Sequence, residues 1–360
     1  MTATVMITTG GTGGHIFPGL AVAAELIARG ARVFWLGTRE GMEATLVPQH
    51  GVDFESVAFR GVRGKGLRAF VLGPYAILGA CVAAHAVIRR RMPDIVVGFG
   101  GFASFPGGLM GTAAGKPLVL HDANAIAGLA TRVLAHGADR ILLGFPQALR
   151  GKHAKRVQWV GNPLRESICR LPEPAARFAD RSGPLRLFVV GGSLGAQALN
   201  ELVPRAIAAM PPQRRPLVVH QSGAKHIASL RQSYARLEVD AECVAFVDDI
   251  AARYAWADFV VCRGGALTVS ELAAAGIGSI VVPLPGAIAD EQSANAQFLV
   301  DAGAAWKEPQ ATLTPELLRE RLESLDRSRA LAMAQAAYAH GKRDAVARVA
   351  DVCLAFGTRA

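Results

Sequence analysis

With 360 residues, 51% of them hydrophobic and 19% charged, the chain has a packed globular composition rather than a disordered one, long enough for about two domains. A formal net charge of +10 points to a polyanionic partner: nucleic acid, an anionic membrane surface or phosphorylated ligands. The five cysteines, Cys81, Cys169, Cys243, Cys262 and Cys353, are odd in number and scattered with no C-x-x-C, which argues against a disulfide framework or a zinc site and fits a reducing compartment.

No charged stretch followed by an apolar core opens the chain, so no secretory signal is expected. Thr4-Val5-Met6-Ile7-Thr8-Thr9 reads as a strand running into Gly10-Gly11-Thr12-Gly13-Gly14-His15-Ile16-Phe17-Pro18. A helix is expected over 19–29, closed by Gly30, and a strand over 32–36. This β-α-β opening carries a phosphate-compatible glycine loop. It misses the dinucleotide fingerprint, because the third glycine falls at Ile16, and no Gly-Lys-Ser/Thr follows to make a Walker loop. Gly115-Lys116-Pro117 fails the Walker test too, with Pro117 where a hydroxyl is required. The loop suits a substrate diphosphate or the close approach of a sugar. His15 is its only titratable side chain, and two readings stand: a general base at a substrate cleft, or a cap on the helix start.

Residues 70–88 are nearly uncharged, with Arg68 before them and Arg89-Arg90-Arg91 after them. The length would suit a membrane span. Gly73-Pro74 is expected to break its start, and His85 lies inside, so a crossover helix leading to strand Ile95-Val96-Val97-Gly98 is the better reading. Upstream lies a basic glycine-rich stretch with Arg63, Lys65 and Arg68. Apolar excess at Tyr75, Ile77, Leu78 and Val82 beside that charge reads either as a surface resting on an anionic membrane or as a helix buried on both sides. A second glycine loop, Gly98-Phe99-Gly100-Gly101-Phe102, follows the strand. Next, strand Leu118-Val119-Leu120 leads to His121, Asp122 and Asn124, at a strand end where open α/β sheets bind ligands. Arg140-Ile141-Leu142-Leu143 closes this half.

The pattern then restarts. A strand over 185–190 meets Gly191-Gly192-Ser193-Leu194-Gly195-Ala196, and a helix begins at Gln197. Strands follow at 217–220, 243–247, 259–261 and 279–283, and the alanine- and arginine-rich tail over 328–356 reads as helical. The richest stretch is Cys262-Arg263-Gly264-Gly265-Ala266-Leu267-Thr268-Val269-Ser270-Glu271: a strand end, a glycine turn and a helix start. Such a start leaves N–H groups open and carries positive dipole, so it attracts phosphate. Glu271 lies about one turn beyond Thr268, where a carboxylate can accept both ribose hydroxyls, or can simply serve as a first-turn dipole partner. The chain thus reads as two Rossmann-like halves with a cleft between their strand ends.

Five motifs in order, Gly10-Gly11-Thr12-Gly13-Gly14-His15, Gly100-Gly101-Phe102, Gly161-Asn162-Pro163-Leu164-Arg165, Gly191-Gly192-Ser193 and Cys262 to Glu271, with Asp290-Glu291-Gln292-Ser293-Ala294-Asn295 after them, resemble the MurG family nearly end to end. These bacterial transferases add N-acetylglucosamine to the undecaprenyl-linked muramyl-pentapeptide precursor of peptidoglycan, and so serve cell shape and division. The resemblance implies an α/β GT-B fold, two Rossmann-like domains with parallel sheets facing a central cleft. Residues 1–161 would bind the lipid acceptor and face the membrane, and 162–340 would bind UDP-N-acetylglucosamine, with a C-terminal helix over about 341–360 packing back on the first domain. Carried over by position, Glu271 would hold the ribose. Ala266, Leu267 and Thr268 would contact the diphosphate, helped by Ser193 and Arg165. Phe246 and Val247 would present backbone to the uracil with Ile250 nearby. Gln292 and Asn295 would read sugar hydroxyls, and Asn124 would approach from the opposite domain. Thr12, Gly13, Gly14, Gly100, Gly101 and Phe102 would form the acceptor-side loops.

The implied reaction is an inverting single displacement with His15 as base, Asn124 and His121 being its neighbours in the same logic. No Asp-x-Asp stands in a metal-site context, so neither a tightly held metal nor a cofactor is expected. Peripheral attachment to the cytoplasmic face of the inner membrane is implied, with cell-wall synthesis proteins as possible partners and no nucleic acid. Gly264 stands where a serine is common, Leu194 where glutamine is familiar, Asp122-Ala123 where Glu-Gln is familiar, and Glu291 where glutamine or histidine is frequent. Two other functions fit the same fold: a UDP-N-acetylglucosamine 2-epimerase, which needs no lipid acceptor, and a membrane-attached nucleotide sensor.

Overall fold

The computed structural model describes residues 2–59, 66–149, 154–192, 195–287 and 290–357, with only the backbone described for 66–72. The chain forms two compact units, Met1–Leu164 with Arg343–Ala360, and Arg165–Lys342.

In the first unit the strands are β1 (Thr4–Thr8), β2 (Arg32–Thr38), β3 (Asp53–Val57), β4 (Ile95–Gly98), β5 (Leu118–Asp122), β6 (Arg140–Leu143) and β7 (Val157–Trp159). Helices α1 (Gly13–Ala28), α2 (Glu43–Gln49), α3 (Gly66–Arg91), α4 (Ser104–Ala113) and α5 (Leu129–Leu134) connect them. All pairings are parallel, in the order β3-β2-β1-β4-β5-β6-β7. The chain builds outward from β1 to β3 and then crosses back to β4, so the switch point lies between β1 and β4, and the loops that leave those two strands are the glycine loops. Helices on both faces explain why β1 and β4 are buried at every position and read as continuous apolar runs. Alternate side chains serve opposite layers: Val5 and Ile7 pack with Ile16 and Leu20 of α1, Met6 with Ala84 and Ile88 of α3.

The second unit repeats the plan with β8 (Arg186–Val190), β9 (Leu217–Gln221), β10 (Glu242–Val244), β11 (Phe259–Cys262), β12 (Gly278–Val281) and β13 (Ala305–Lys307). Short helices α6 (Glu166–Cys169) and α7 (Pro174–Phe178) precede this sheet, and α8 (Gln197–Ala208), α9 (Ile227–Arg236), α10 (Ile250–Trp256), α11 (Ala266–Ala275), α12 (Glu291–Asp301), α13 (Pro315–Glu323) and α14 (Arg327–His340) run between or after its strands. The parallel order β10-β9-β8-β11-β12-β13 puts its switch point between β8 and β11.

Two helix limits differ from expectation, at the start of α1 and at Gly73-Pro74 of α3. Helix α1 begins at Gly13, not Gly19, because His15 N–H and Ile16 N–H both turn back to the Thr12 carbonyl; Pro18 then sits inside the helix and removes one bond without ending it. His15 therefore belongs to the first helical turn. The helical tail divides at Gly341 into α14 and a last helix, α15 (Ala345–Gly357). A Cβ at Gly341 would lie 2.5 Å from the Ala273 carbonyl oxygen, so the chain is pressed against α11 there and turns away. Helix α14 packs on α11 in the second unit, whereas α15 packs on α1 in the first.

Helix α3 runs through Gly73-Pro74 instead of breaking there. It buries Ala80, Cys81, Ala84, Val87 and Ile88 but leaves Tyr75, Leu78 and Val82 exposed at 73%, 63% and 64%, which rules out a helix buried on both sides. Ile77 does not join that exposed stripe; it is half-buried and packs against the core under β4 and β5. Arg63 and Lys65 lie outside the described residues, as does the side chain of Arg68. Among the described residues no helix is long and apolar enough to cross a membrane.

Candidate functional site

In the first unit the two glycine loops are locked together through backbone contacts that no side chain could share. A Cβ on Gly101 would lie 2.2 Å from the Gly10 carbonyl oxygen, and Gly101 sits at φ +74, where glycine is favoured. Thr9 Oγ1 donates to the Gly100 carbonyl at 2.8 Å, and Thr8 Oγ1 to the Ala103 carbonyl at 3.2 Å. Glu43, the first residue of α2, is fully buried and accepts from Gly11 N–H at 3.3 Å and from Thr38 N–H and Oγ1 at 3.0 and 2.7 Å. Half-exposed Phe102 packs against Phe59, ring centroids 5.7 Å apart. Thr12 is exposed at the loop tip, with Gly13 and Gly14 half-buried as the first residues of α1.

His15 lies across Gly100: its Cδ2 would be 3.2 Å from a Cβ there. Its Nδ1 is 3.4 Å from Thr12 Oγ1. Burial pushes the imidazole pKa below its ordinary value, with the Asp122 carboxylate pulling the other way. The ring is therefore neutral at neutral pH and keeps one nitrogen as a proton acceptor. His121 is differently placed. It is 1% exposed, its Nε2–H donates to the Gly161 carbonyl at 3.0 Å, and its Nδ1 is buried without a partner among the described residues. Asp122 accepts from Asn124 N–H at 3.2 Å and Gly128 N–H at 3.0 Å, so it shapes the loop carrying half-buried Asn124. An amide such as that of Asn124 cannot take a proton near neutral pH.

In the second unit Gly265 is the N-terminal neighbour of α11 and offers no side chain to cap it. The first helical bond is Val269 N–H to the Gly265 carbonyl, so the N–H groups of half-buried Ala266, Leu267 and Thr268 stand ahead of any intrahelical acceptor. At the other end Gly276, at φ +65, closes the helix in the left-handed region. The turn is held from behind by α12. Asn295, fully buried, donates to the Gly264 carbonyl at 3.1 Å, and Gln292 accepts from Leu284 N–H at 2.9 Å. Both amides thus brace backbone, and Asn295 is turned to the turn itself rather than outward. Arg263 also faces away, donating to the Val282 carbonyl and to Gln310.

Glu271, one turn into α11, accepts from Tyr254 Oη at 3.1 Å. Burial pushes its pKa up to about 7, while Tyr254 and the exposed Arg165 at the head of α6 draw it down. Phe246 is 60% exposed and Val247 half-buried in the loop before α10, whose first residue is Ile250. Ser193 and Leu194 lie outside the described residues. The flanking loop is nonetheless defined: Gln221, at the end of β9, accepts from Gly191 N–H and donates to the carbonyls of Gly192 and Ala245, each at 3.1 Å. Gln221 thereby ties the loop after β8 to the loop carrying Phe246. Glu43, Gln221 and Tyr254 escaped the sequence reading. Their partners lie 32, 30 and 17 positions away, and each occupies an ordinary strand or helix position.

Residues 5–143 match the Glycosyltransferase family 28 N-terminal domain, and residues 186–349 the C-terminal domain of that family. The chain is 53% identical over 355 residues to a protein of Ralstonia nicotianae named UDP-N-acetylglucosamine--N-acetylmuramyl-(pentapeptide) pyrophosphoryl-undecaprenol N-acetylglucosamine transferase, covering 98% of this chain and 96% of that one. It is 53% identical over 350 residues to the protein of the same name from Verminephrobacter eiseniae, covering 97% of each. The crystal structure of Acinetobacter baumannii MurG is similar at a TM-score of 0.87 and 35% identity, over 98% of this chain and 99% of that one.

Proposed function

The chain belongs to glycosyltransferase family 28, among the MurG transferases with their GT-B fold, and we propose on that premise how its residues move N-acetylglucosamine from UDP-N-acetylglucosamine to the 4-hydroxyl of a lipid-linked muramyl-pentapeptide. The second unit takes the donor. The observation that carries this assignment is Glu271, set one turn inside the uncapped start of α11 at a sheet switch point, so one helix turn offers N–H groups to a diphosphate and a carboxylate to a ribose. Ala266, Leu267 and Thr268 supply the diphosphate contacts with Arg165 and Ser193. The loop of Phe246 and Val247, with Ile250, receives the uracil. Gln292 and Asn295 support the sugar end from α12, and Asn124 carries an amide suited to a sugar hydroxyl.

The first unit takes the acceptor at the loops of Thr12, Gly13, Gly14, Gly100, Gly101 and Phe102. His15 removes the proton of the acceptor hydroxyl as its oxygen bonds to the anomeric carbon. The bond from that carbon to the diphosphate oxygen breaks, and its electron pair leaves with UDP, so the anomeric centre inverts. Burial lowers the pKa of both His15 and His121 and keeps both unprotonated; the half-buried position of His15 favours it over the enclosed His121. Charge gathering on the leaving diphosphate is met by the α11 start and by Arg165. Attachment to the membrane is peripheral, on the cytoplasmic face of the inner membrane, through the exposed stripe of Tyr75, Leu78 and Val82 and the basic residues Arg63, Lys65 and Arg68.

The test is turnover of UDP-N-acetylglucosamine by the purified protein with and without a polyprenyl-linked muramyl-peptide. UDP release and a disaccharide product that both require the acceptor are expected. Epimerised sugar without acceptor, or nucleotide binding without turnover, would overturn the assignment in favour of an epimerase or a sensor.

A further inference from the structure

We propose that Tyr254 is a positioning residue for nucleoside recognition: from α10 it fixes the carboxylate of Glu271 and couples that group to the loop at the start of the same helix. The inference rests on the assignment of Glu271 to the ribose. Tyr254 is 1% exposed, its ring stands edge-on to Phe188 of β8 with centroids 6.1 Å apart, and its hydroxyl donates to Glu271 Oε2 at 3.1 Å. A carboxylate accepts at two oxygens, so a phenol holding Oε2 leaves Oε1 and the second lone pair of Oε2 for ligand hydroxyls. Burial and the neighbouring Glu271 push the phenol pKa well above its ordinary value, so Tyr254 remains a donor at every working pH.

Helix α10 is a short link of seven residues. Asp249 caps it by accepting from Ala252 N–H at 3.0 Å, and Phe246 and Val247 lie just before that cap. At its other end Arg177 of α7 donates to the Tyr254 carbonyl at 3.1 Å and to the Ala275 carbonyl at 2.6 Å, clamping the ends of α10 and α11 to each other. Any displacement of α10 therefore moves the loop assigned to uracil and the carboxylate assigned to ribose as one piece. The charged and titratable groups facing Glu271 are Tyr254 from α10, Arg165 at the head of α6, and Cys262 of β11, whose thiol is pushed up to about 12 and stays neutral. Helices α12 and α14 also pack on α11 and add no such group among the described residues.

The experiment is calorimetric titration of UDP into wild type, Tyr254→Phe, Glu271→Gln and the double variant, from about pH 6 to about pH 9, spanning the carboxylate transition. Loss of the phenol donor should weaken UDP binding roughly five- to tenfold near neutral pH. It should also move the rise of affinity with pH to higher values, so that the deficit shrinks at the alkaline end. In the Glu271→Gln background Tyr254→Phe should change nothing further, the signature of a coupled pair. An equal loss at every pH, or the same loss in both backgrounds, overturns the inference and leaves Tyr254 a core residue. Wild-type UDP affinity in Glu271→Gln instead overturns the ribose assignment, whatever Tyr254→Phe does. If the Phe variant melts below assay temperature, a fluorinated tyrosine at 254 replaces it. This stronger donor of nearly the same shape should tighten UDP binding near neutral pH, and no change would refute the coupling.

Discussion

The Gly11 amide donates to the carboxylate of Glu43, 32 positions away, and that carboxylate is sealed in by glycines: a Cβ on Gly10 or Gly41 would lie 2.2 Å from it, and one on Gly37 2.7 Å from its Cγ. The first glycine loop is therefore moored by a buried acid. Glu43→Gln places an NH₂ among three donors and should cost about 1–3 kcal/mol of stability. A lower melting temperature, a raised acceptor KM and unchanged UDP affinity are expected. A variant with wild-type melting and wild-type kinetics would remove the mooring role.

Removing a general base slows a reaction by about 10²–10⁴-fold. His15→Ala should lose that much in single-turnover rate while keeping UDP affinity, and His15→Asn should fare no better. Because burial lowers the His15 pKa, the acid limb of the wild-type rate profile should lie below the ordinary imidazole value of 6.5. If the variant retains that limb, or saturating acceptor restores its rate, His15 is a ligand of the acceptor and not the base.

The raised pKa of Glu271 has a signed consequence for stability. Its folded-state value of about 7 exceeds the ordinary 4.5, so its contribution is complete below about 4.5 and is lost as pH rises through about 7. Glu271→Gln, which does not titrate, should gain in melting temperature relative to wild type across that window when no nucleotide is present. With UDP the order reverses, since ribose hydroxyls favour the ionised acid. Glu271→Ala should weaken UDP by about 1–3 kcal/mol. Parallel melting curves across the window would show that Glu271 does not titrate there.

On α3, replacing Tyr75, Leu78 and Val82 with serine should leave folding intact, because all three are exposed, while reducing attachment to anionic vesicles. Attachment of the wild type should fall with salt as the basic residues are screened. Cosedimentation that is equal for both proteins would dismiss this stripe as the attachment surface. Ile77→Ser is the contrasting case, since it packs against the core and should lower the melting temperature.

Strands β1, β4 and β11 were legible because a parallel strand covered on both faces must be apolar throughout, and the glycine loops because backbone can approach backbone only where no Cβ intervenes. The turn before α11 was legible for the same reason. A Cβ on Gly264 would lie 2.4 Å from the Gln292 carbonyl oxygen. What stayed hidden depends on tertiary placement. Asn295 has the chemistry to read a sugar, and nothing local reveals that its amide also donates to the Gly264 carbonyl. The division of the tail near 341 came from the family resemblance; its physical cause, the contact of Gly341 with Ala273, is not visible in an alanine-rich tail.

Helix α15 packs on α1 and contributes Val349, Ala350 and Cys353 to the core layer that also holds Val5 and Ile7. The first unit is thus discontinuous in the chain, interrupted by the whole of the second. On the ribosome the order of completion is inverted: the second unit has all its residues before the first does. The early β-α-β layers must wait, with apolar surface uncovered, for the last helix to emerge. A nascent chain stalled before residue 345 should accordingly bind hydrophobic holdase chaperones through its oldest segment, and release should coincide with synthesis of α15.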